Sequence, residues 1–303
     1  MWQSIFQISN GVITGLSEYG ETLDSITIPA TCDGEAITGI GSGAFAYNTS
    51  LTSITIGANV TSIGAMAFAG CTNLDTVTIQ PNSKLNSVGA GAFLNCKSLT
   101  SLEFQRGLVA VKAGSATGIQ PEALSGCSGL TSLTIDGSVV LGTLFGSTNG
   151  DANMQLVEQN SYYYIPLGLA TVTIGSGTEI ADFAYMNCNM LTTVNVASTV
   201  TRVGDRAFMG CTGIDEFDFT NIKYIGNGSF AESSIVNTGS LAIVRLGTGA
   251  FAGCEALTTV NLSNSSMNTI PDDAFKNCTA LNSVTFTTIA TDNDYRNRRE
   301  RVL

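Results

Sequence analysis

No histidine occurs anywhere in the 303 residues. Catalytic triads built on a histidine base, histidine general bases and histidine metal ligands are therefore excluded, which counts against an enzyme. Charged residues make up only 12% of the chain, prolines number 5 and there is a single tryptophan. Apolar residues reach 44%, too many for a disordered chain. Ser, Thr and Gly interrupt them so evenly that no run approaches the roughly eighteen residues of a membrane span. Basic residues are outnumbered 13 to 24, for a net charge of −11. Such a surface repels phosphate, so neither nucleic acid nor insertion into a membrane is expected. Residues 1–6 show no cationic start ahead of an apolar core, so no signal peptide is expected within the chain.

What the chain does have is a repeat. An Ala-Phe-like pair recurs nine times: Ala44-Phe45, Ala67-Phe68, Ala92-Phe93, Ala123-Leu124, Ala184-Tyr185, Ala207-Phe208, Ser229-Phe230, Ala250-Phe251 and Ala274-Phe275. Six residues after each anchor an aliphatic opens a strand, at Leu51, Leu74, Leu99, Leu130, Leu191, Ile214, Val236, Leu257 and Leu281. Five residues before each anchor stands another, from Ile40 and Ile63 to Leu246 and Ile270. Phe145, with Val140 five residues ahead, reads as a tenth anchor, but Asp151 stands where its strand should open.

Two periods give the repeat its physical meaning. In Leu51-Thr52-Ser53-Ile54-Thr55-Ile56 the aliphatics alternate with polar residues, the period of a strand with one buried face. In Ile63-Gly64-Ala65-Met66-Ala67-Phe68 they fall at i, i+3 and i+5, which predicts a short helical turn that carries its Phe inward. One such unit cannot bury its apolar face alone, so neighbours must stack into a solenoid, and an internal period of this kind overrides length as a guide to domain number. We therefore expect one elongated domain. Asn10-Gly11 predicts a tight turn in an N-terminal hairpin that uses Trp2 and Phe6 to cap the first edge.

The stretches "LTSITIGANVTSIGAMAFAGCTNL", "LTTVNVASTVTRVGDRAFMGCTGI" and "LTTVNLSNSSMNTIPDDAFKNCTAL" resemble the BspA-type leucine-rich repeat of bacterial and protozoan surface proteins. The opening, with "LDSITIPATCDGEAITGIGSGAF", resembles the first repeat of bacterial members, and the likeness runs over roughly residues 8–286. It implies an α/β repeat solenoid: a leucine-rich-repeat coil with one parallel β-sheet on the concave face and short helical or 3-10 turns on the other. It also implies a secreted or cell-surface protein used in adhesion, with no ligand specified. The expected division is a capping hairpin over 1–22, the solenoid over 23–286 with an insertion at about 147–168, and a tail over 287–303.

Candidate sites are few. Seven of the eight cysteines stand three residues after an anchor, at Cys71, Cys96, Cys127, Cys188, Cys211, Cys254 and Cys278, with Asn48 and Ser233 in the same column. Small size and hydrogen-bonding capacity make this a buried packing column of free thiols; a disulfide such as Cys71 with Cys96 and a metal site are the lesser alternatives. Cys32, outside the column, is the expected exposed thiol. Outward strand positions form a polar ladder that includes Thr193 and Asn195, with Glu103, Glu216 and Asp218 as its charges. The ladder stabilises the sheet laterally and could also hold a protein or glycan; paired carboxylates there could hold Ca²⁺ only with further oxygens. Tyr162, Tyr163 and Tyr164 in the insertion form the best aromatic contact patch, unless alternate rings pack onto the scaffold. The run from Gly142 to Gly150 lacks the Gly-Lys-Ser/Thr ending of a phosphate loop and reads as a flexible loop. The strand from Val236 to Leu241 should be distorted, with Gly239 at an inward position.

The expected function is a non-enzymatic binding or adhesion module, extracellular or on a cell surface, without cofactor or metal. Its partner would be a protein or glycan ligand on a host or neighbouring cell. The alternative is a structural protein that stacks end to end as a homo-oligomer through open solenoid edges. The tail, with Arg296-Asn297-Arg298-Arg299-Glu300-Arg301, is read as disordered, or as an arm for an acidic surface.

Overall fold

The structure, a computed structural model, describes residues 5–32, 34–104, 108–109 and 115–286. Trp2, the arginine-rich tail and part of the lengthened copy after residue 104 lie outside the described residues. The chain clusters into two compact units. One comprises Met1–Asp136, Leu141–Leu156 and Tyr162–Leu169; the other comprises Gly137–Val140, Val157–Ser161 and Ala170–Leu303.

Each unit is a repeat solenoid, as the pattern predicts. In the first, long strands run in the order Ser25–Thr27, Ser53–Ile56, Thr76–Ile79, Ser101–Glu103 and Ser132–Asp136, all parallel. Ile54 and Ile56 point into the core while Ser53 and Thr55 do not, which is the alternation read from the sequence. A second sheet stacks the short strands that carry the Ile-Gly column: Gly39–Ile40, Ser62–Ile63, Ser87–Val88 and Gly118–Ile119. Its first edge is covered by an antiparallel hairpin, Phe6–Ser9 with Val12–Leu16, which turns through Asn10 at φ 49° and Gly11 at φ 73°. The second unit repeats the plan, with short strands Glu179–Ile180, Arg202–Val203, Tyr224–Ile225 and Arg245–Leu246.

Every anchor ring faces the interior. Phe45, Phe68, Phe93, Leu124, Phe145, Tyr185, Phe208, Phe230, Phe251 and Phe275 are all at most 1% exposed. Within the first unit the rings of Phe45, Phe68 and Phe93 stack at 4.9 and 5.2 Å. Within the second, Tyr185, Phe208, Phe230, Phe251 and Phe275 stack at 5.1 to 5.8 Å, with planes within 13° of parallel. Each ring thus removes its neighbour's face from water, at roughly 25 cal/mol per Å² of apolar area.

The anchor segments are chains of β-turns, where the i, i+3, i+5 spacing had suggested helix. In all nine copies the residues two before and two after the anchor take positive φ, for example Met66 (55°) and Gly70 (72°) around Phe68, or Asp273 (55°) and Asn277 (60°) around Phe275. Alternating handedness prevents a helical ladder and aims alternate N–H groups along the stack. Phe45 N–H accordingly donates to Ala67 C=O at 2.8 Å, and Gly43 and Tyr47 donate to Ala65 and Ala69 at 3.0 and 2.7 Å. A left-handed non-glycine residue costs about 1 kcal/mol or more. Three hydrogen bonds to the next coil, formed in a dry interior, offset that cost.

The cysteine column locks the same junction from the other side. The thiols of Cys71, Cys96, Cys127, Cys211, Cys254 and Cys278 each donate to the carbonyl of the preceding anchor, at 2.9 to 3.2 Å. Cys188 differs: it accepts a hydrogen bond from Gln159 Nε2 at 2.9 Å. All eight cysteines are free and buried. Cys32, expected to be exposed, is only 3% so, because the two-residue strand Thr31–Cys32 turns Thr31 outward and its neighbour in.

Three further details depart from the sequence reading. In the coil of Phe230 the opener is Ile235, fully buried, while Val236 is 38% exposed, so this coil is one residue short. Gly239, exposed at φ 58°, supplies the missing residue as a bulge: Asn237 faces Thr259 but Ser240 faces Asn261. The inward position belongs to Thr238, 4% exposed, and the strand is distorted as expected. The glycine-rich run, read as a flexible loop, begins as an α-helix, Leu141–Phe145, because Leu141, Leu144 and Phe145 are all buried. The insertion holds a β-hairpin, Met154–Glu158 with Tyr162–Pro166.

Replacing Phe208 by Ala removes a ring from the middle of its stack and should lower stability by about 3 to 5 kcal/mol. Denaturant melts read this directly, and a loss below about 1 kcal/mol would show that the ring is not held as described. A second outcome concerns alkali. Burial pushes the thiols of Cys71, Cys211 and Cys254 from 9.0 up to about 12. Between those values the unfolded chain releases protons that the folded chain retains, so stability is complete below pH 9 and falls as pH rises toward 12. Melts at graded alkaline pH, compared with a Cys211→Ala variant, should show a shallower decline in the variant.

Candidate functional site

Part of the outward ladder serves the sheet itself. Ser53 Oγ donates to Ser25 Oγ at 2.9 Å, and Asn195 Nδ2 donates to Thr173 Oγ1 at 3.1 Å. Thr52, Thr131, Thr192 and Thr258 each send the hydroxyl to a carbonyl of the preceding coil, at 2.9 to 3.3 Å. Those lateral bonds tie each strand start to the coil before it.

In the second unit the strands stop pairing. Thr171–Ser176 pairs with Thr193–Val196, and Asn237–Ser240 pairs with Thr259–Leu262, which pairs with Ser283–Phe286. Residues 215–219 lie between these groups and form no strand. Elsewhere the start of each long strand bonds to the one before it, as Thr192 and Thr193 N–H do to Ala170 C=O and Asp75 and Thr76 N–H do to Thr52 C=O. Among the described residues no such bond joins Asp215 or Glu216 to Thr192. The turns and short strands behind remain closed: Tyr185 N–H donates to Ala207 C=O, and Arg202 pairs with Tyr224. The sheet is open on one side of a stack that is intact on the other.

Two large rings stand behind the opening. Inward positions of the long strands are mostly Ile, Val or Leu, but here they are Phe217 and Phe219. Phe217 packs edge-on against Phe208 and Phe230 at 5.3 and 5.0 Å. Phe219 meets Phe230 at 5.1 Å and Phe251 at 6.0 Å. Phe217 thus packs between the anchor of its own coil and the next, and Phe219 between the anchors of the two coils that follow.

The opening is a groove of about 630 Å³. Thr193, Asn195, Asp215, Glu216, Asp218, Asn237 and Ser240 line it, and no basic residue does. Four of the residues singled out from the sequence therefore converge here: Thr193, Asn195, Glu216 and Asp218. The Thr220 hydroxyl and the Thr220 backbone N–H, the latter 2.9 Å from Asp218 Oδ1, hold the Asp218 carboxyl below its ordinary pKa. It is charged at neutral pH. Glu103, the remaining charge of the ladder, sits in the first unit opposite Thr134 and does not line this groove. Among the described residues no three acidic or cysteine side chains converge as a metal site would need.

The tyrosines lie on the hairpin. Tyr162 is 57% exposed, whereas Tyr163 and Tyr164 are half-buried. The Tyr164 ring lies over Gly150, where a side chain would collide with it, and its N–H donates to Gly146 C=O at 2.9 Å. Asp151 anchors the approach to the hairpin: it takes bonds from Lys97 Nζ at 3.2 Å and from Ser128 Oγ at 3.1 Å. Leu156 and Leu167, both about half exposed, add apolar surface on and just after the hairpin that no sequence signal had indicated.

Stacked parallel strands, an anchor column and turns on the back define a leucine-rich-repeat protein. A family profile described as the BspA type leucine-rich repeat region matches six copies, over residues 18–141 and 156–295. The chain belongs to that family. No curated protein matches it. Among solved structures it is similar to a leucine-rich repeat protein of T. pallidum, at 21% identity over 70% of this chain and 88% of that one, with a TM-score of 0.45. It is also similar to one from Bacteroides ovatus, at 19% identity over 92% and 97%, with a TM-score of 0.38. A leucine-rich cell surface protein of Faecalibacterium prausnitzii matches at 22% identity over 99% and 96%, with a TM-score of 0.33.

Proposed function

We propose that this chain is a non-enzymatic binding module, secreted or displayed at a cell surface, that holds a protein or glycan ligand of a host or neighbouring cell. The observation that carries the reading is the groove beside Glu216 and Asp218. There the long strands stop pairing, and the exposed Glu216 and Asp218 carboxylates stand beside Thr193, Asn195, Asn237 and Ser240. Preformed sites bind without the cost of ordering loops. Exposed Tyr162, with Leu156 and Leu167, offers a second and more apolar contact. The family supplies repeat scaffolds, and no histidine is available for catalysis.

End-to-end self-assembly is the second reading, favoured by one observation. Turns such as those of Phe208, Phe230 and Phe251 pass three N–H groups to the next coil, but the N–H groups of Asp273, Phe275 and Asn277 have no acceptor among the described residues. Against it, the hairpin Phe6–Ser9 with Val12–Leu16 covers the matching edge of the short-strand sheet. Light scattering that finds only single chains at high concentration would remove this reading.

On an array of glycans and matrix proteins, the Glu216→Gln, Asp218→Asn double variant should lose the dominant signal by about tenfold with its fold unchanged. Tyr162→Ala should weaken it less. A profile untouched by either change would take both surfaces out of the account.

A further inference from the structure

The groove has more character than a patch of carboxylates, because its walls are main chain. Where the long strands pair, the N–H groups of the second and third strand residues reach the carbonyl of the coil before, as Thr131 and Ser132 do to Thr100. At the opening the corresponding N–H groups, of Asp215 and Glu216, have no such partner among the described residues, and neither does the Thr192 carbonyl that would have received them. The strand Thr193–Val196 ends its sheet there. An unpaired edge of this kind is a template for another strand.

We propose that this edge binds an extended, basic peptide segment of a partner protein by strand pairing, with its cations against Glu216 and Asp218. The inference rests on the binding-module reading and narrows its ligand class. In an extended segment, residues two apart point to one face about 6.5 to 7 Å from each other. Glu216 and Asp218 have that spacing and are both exposed, on either side of buried Phe217. Lys or Arg at alternate positions of an incoming strand matches them, whereas clustered or single cations do not. No lining residue is basic, so nothing in the groove competes for the carboxylates. A sugar is the poorer fit: its rings stack on aromatic faces, and the groove's aromatics, Phe217 and Phe219, are 9% and 4% exposed. The main chain of a peptide satisfies the free edge, its side chains read the acids, and the chain's net charge of −11 favours approach of a cation.

The test uses the whole chain and a fluorescent octapeptide alternating Lys with Thr, followed by anisotropy. Companion probes are the same peptide with alternate amides N-methylated, which deletes main-chain donors and keeps the charge, and a peptide alternating Glu with Thr. The Lys peptide should bind more weakly as salt rises, and the amides of Glu216 and Asp218 should gain protection from hydrogen exchange on binding. N-methylation, and separately the Glu216→Gln, Asp218→Asn double variant, should each weaken binding about tenfold, while Glu35→Gln leaves it unchanged. Equal affinity for the methylated probe would reduce the site to charge and overturn strand pairing. Binding insensitive to the double variant would move it elsewhere and overturn the site. Should the Lys peptide fail to bind while the array signal still depends on Glu216 and Asp218, the peptide inference falls and the binding reading stands. If neither responds, both fall.

Discussion

The structure depends on the junction between one anchor turn and the next. A single coil has one aromatic ring and a few aliphatics, too little to exclude water from its own backbone. Stacked, each ring covers its neighbour at about 5 Å, and the turn that carries it gives two or three N–H groups to the following coil while, in most coils, the following cysteine returns a thiol to the ring's carbonyl. The bonds therefore run in both directions across six of these junctions. Registry between coils is set at the back, leaving the long strands freer to vary.

That division of labour explains how the front can open without loss of the fold. At residues 215–219 the strand contacts to the preceding coil are gone, yet Phe208 N–H still donates to Ser229 C=O and Arg202 still pairs with Tyr224. Substitutions at inward strand positions can thus reshape the front while the turns keep the stack in step. The missing residue before Ile235 and the bulge at Gly239 are a second case of the same tolerance, one coil further on.

Much of this was legible in the chain, and the limits have physical reasons. The anchor, opener and cysteine columns could be read because burial demands the same kind of residue at the same offset in each copy. The turn conformation could not: an i, i+3, i+5 spacing suits a helix as well as linked turns, and positive φ at Met66, Arg206 or Asp273 is imposed by the neighbouring coil and by nothing in those residues themselves. The short coil before Ile235 was misread because Val236 is as good an opener on paper. Of the site, Glu216, Asp218, Thr193 and Asn195 stood out as ladder residues, but the opening that unites them is a loss of strand pairing over 215–219, with Phe217 and Phe219 packed behind it. Sequence showed the size of each residue and not the room beside it. The hairpin in the insertion escaped for a similar reason, since its strands alternate only weakly and its partner lies a few residues away.

The thiol column has a consequence for where such a chain can work. Once folded, every cysteine is buried, and the thiols whose pKa burial raises, such as Cys211 and Cys254, cannot readily ionise, so an oxidant outside finds little thiolate to attack. The unfolded chain has eight reactive sulfurs and many wrong ways to join them. A chain that completes its stack before meeting oxygen would remain unbridged indefinitely, and its resistance to oxidation would be a property of the fold and independent of any reductant around it.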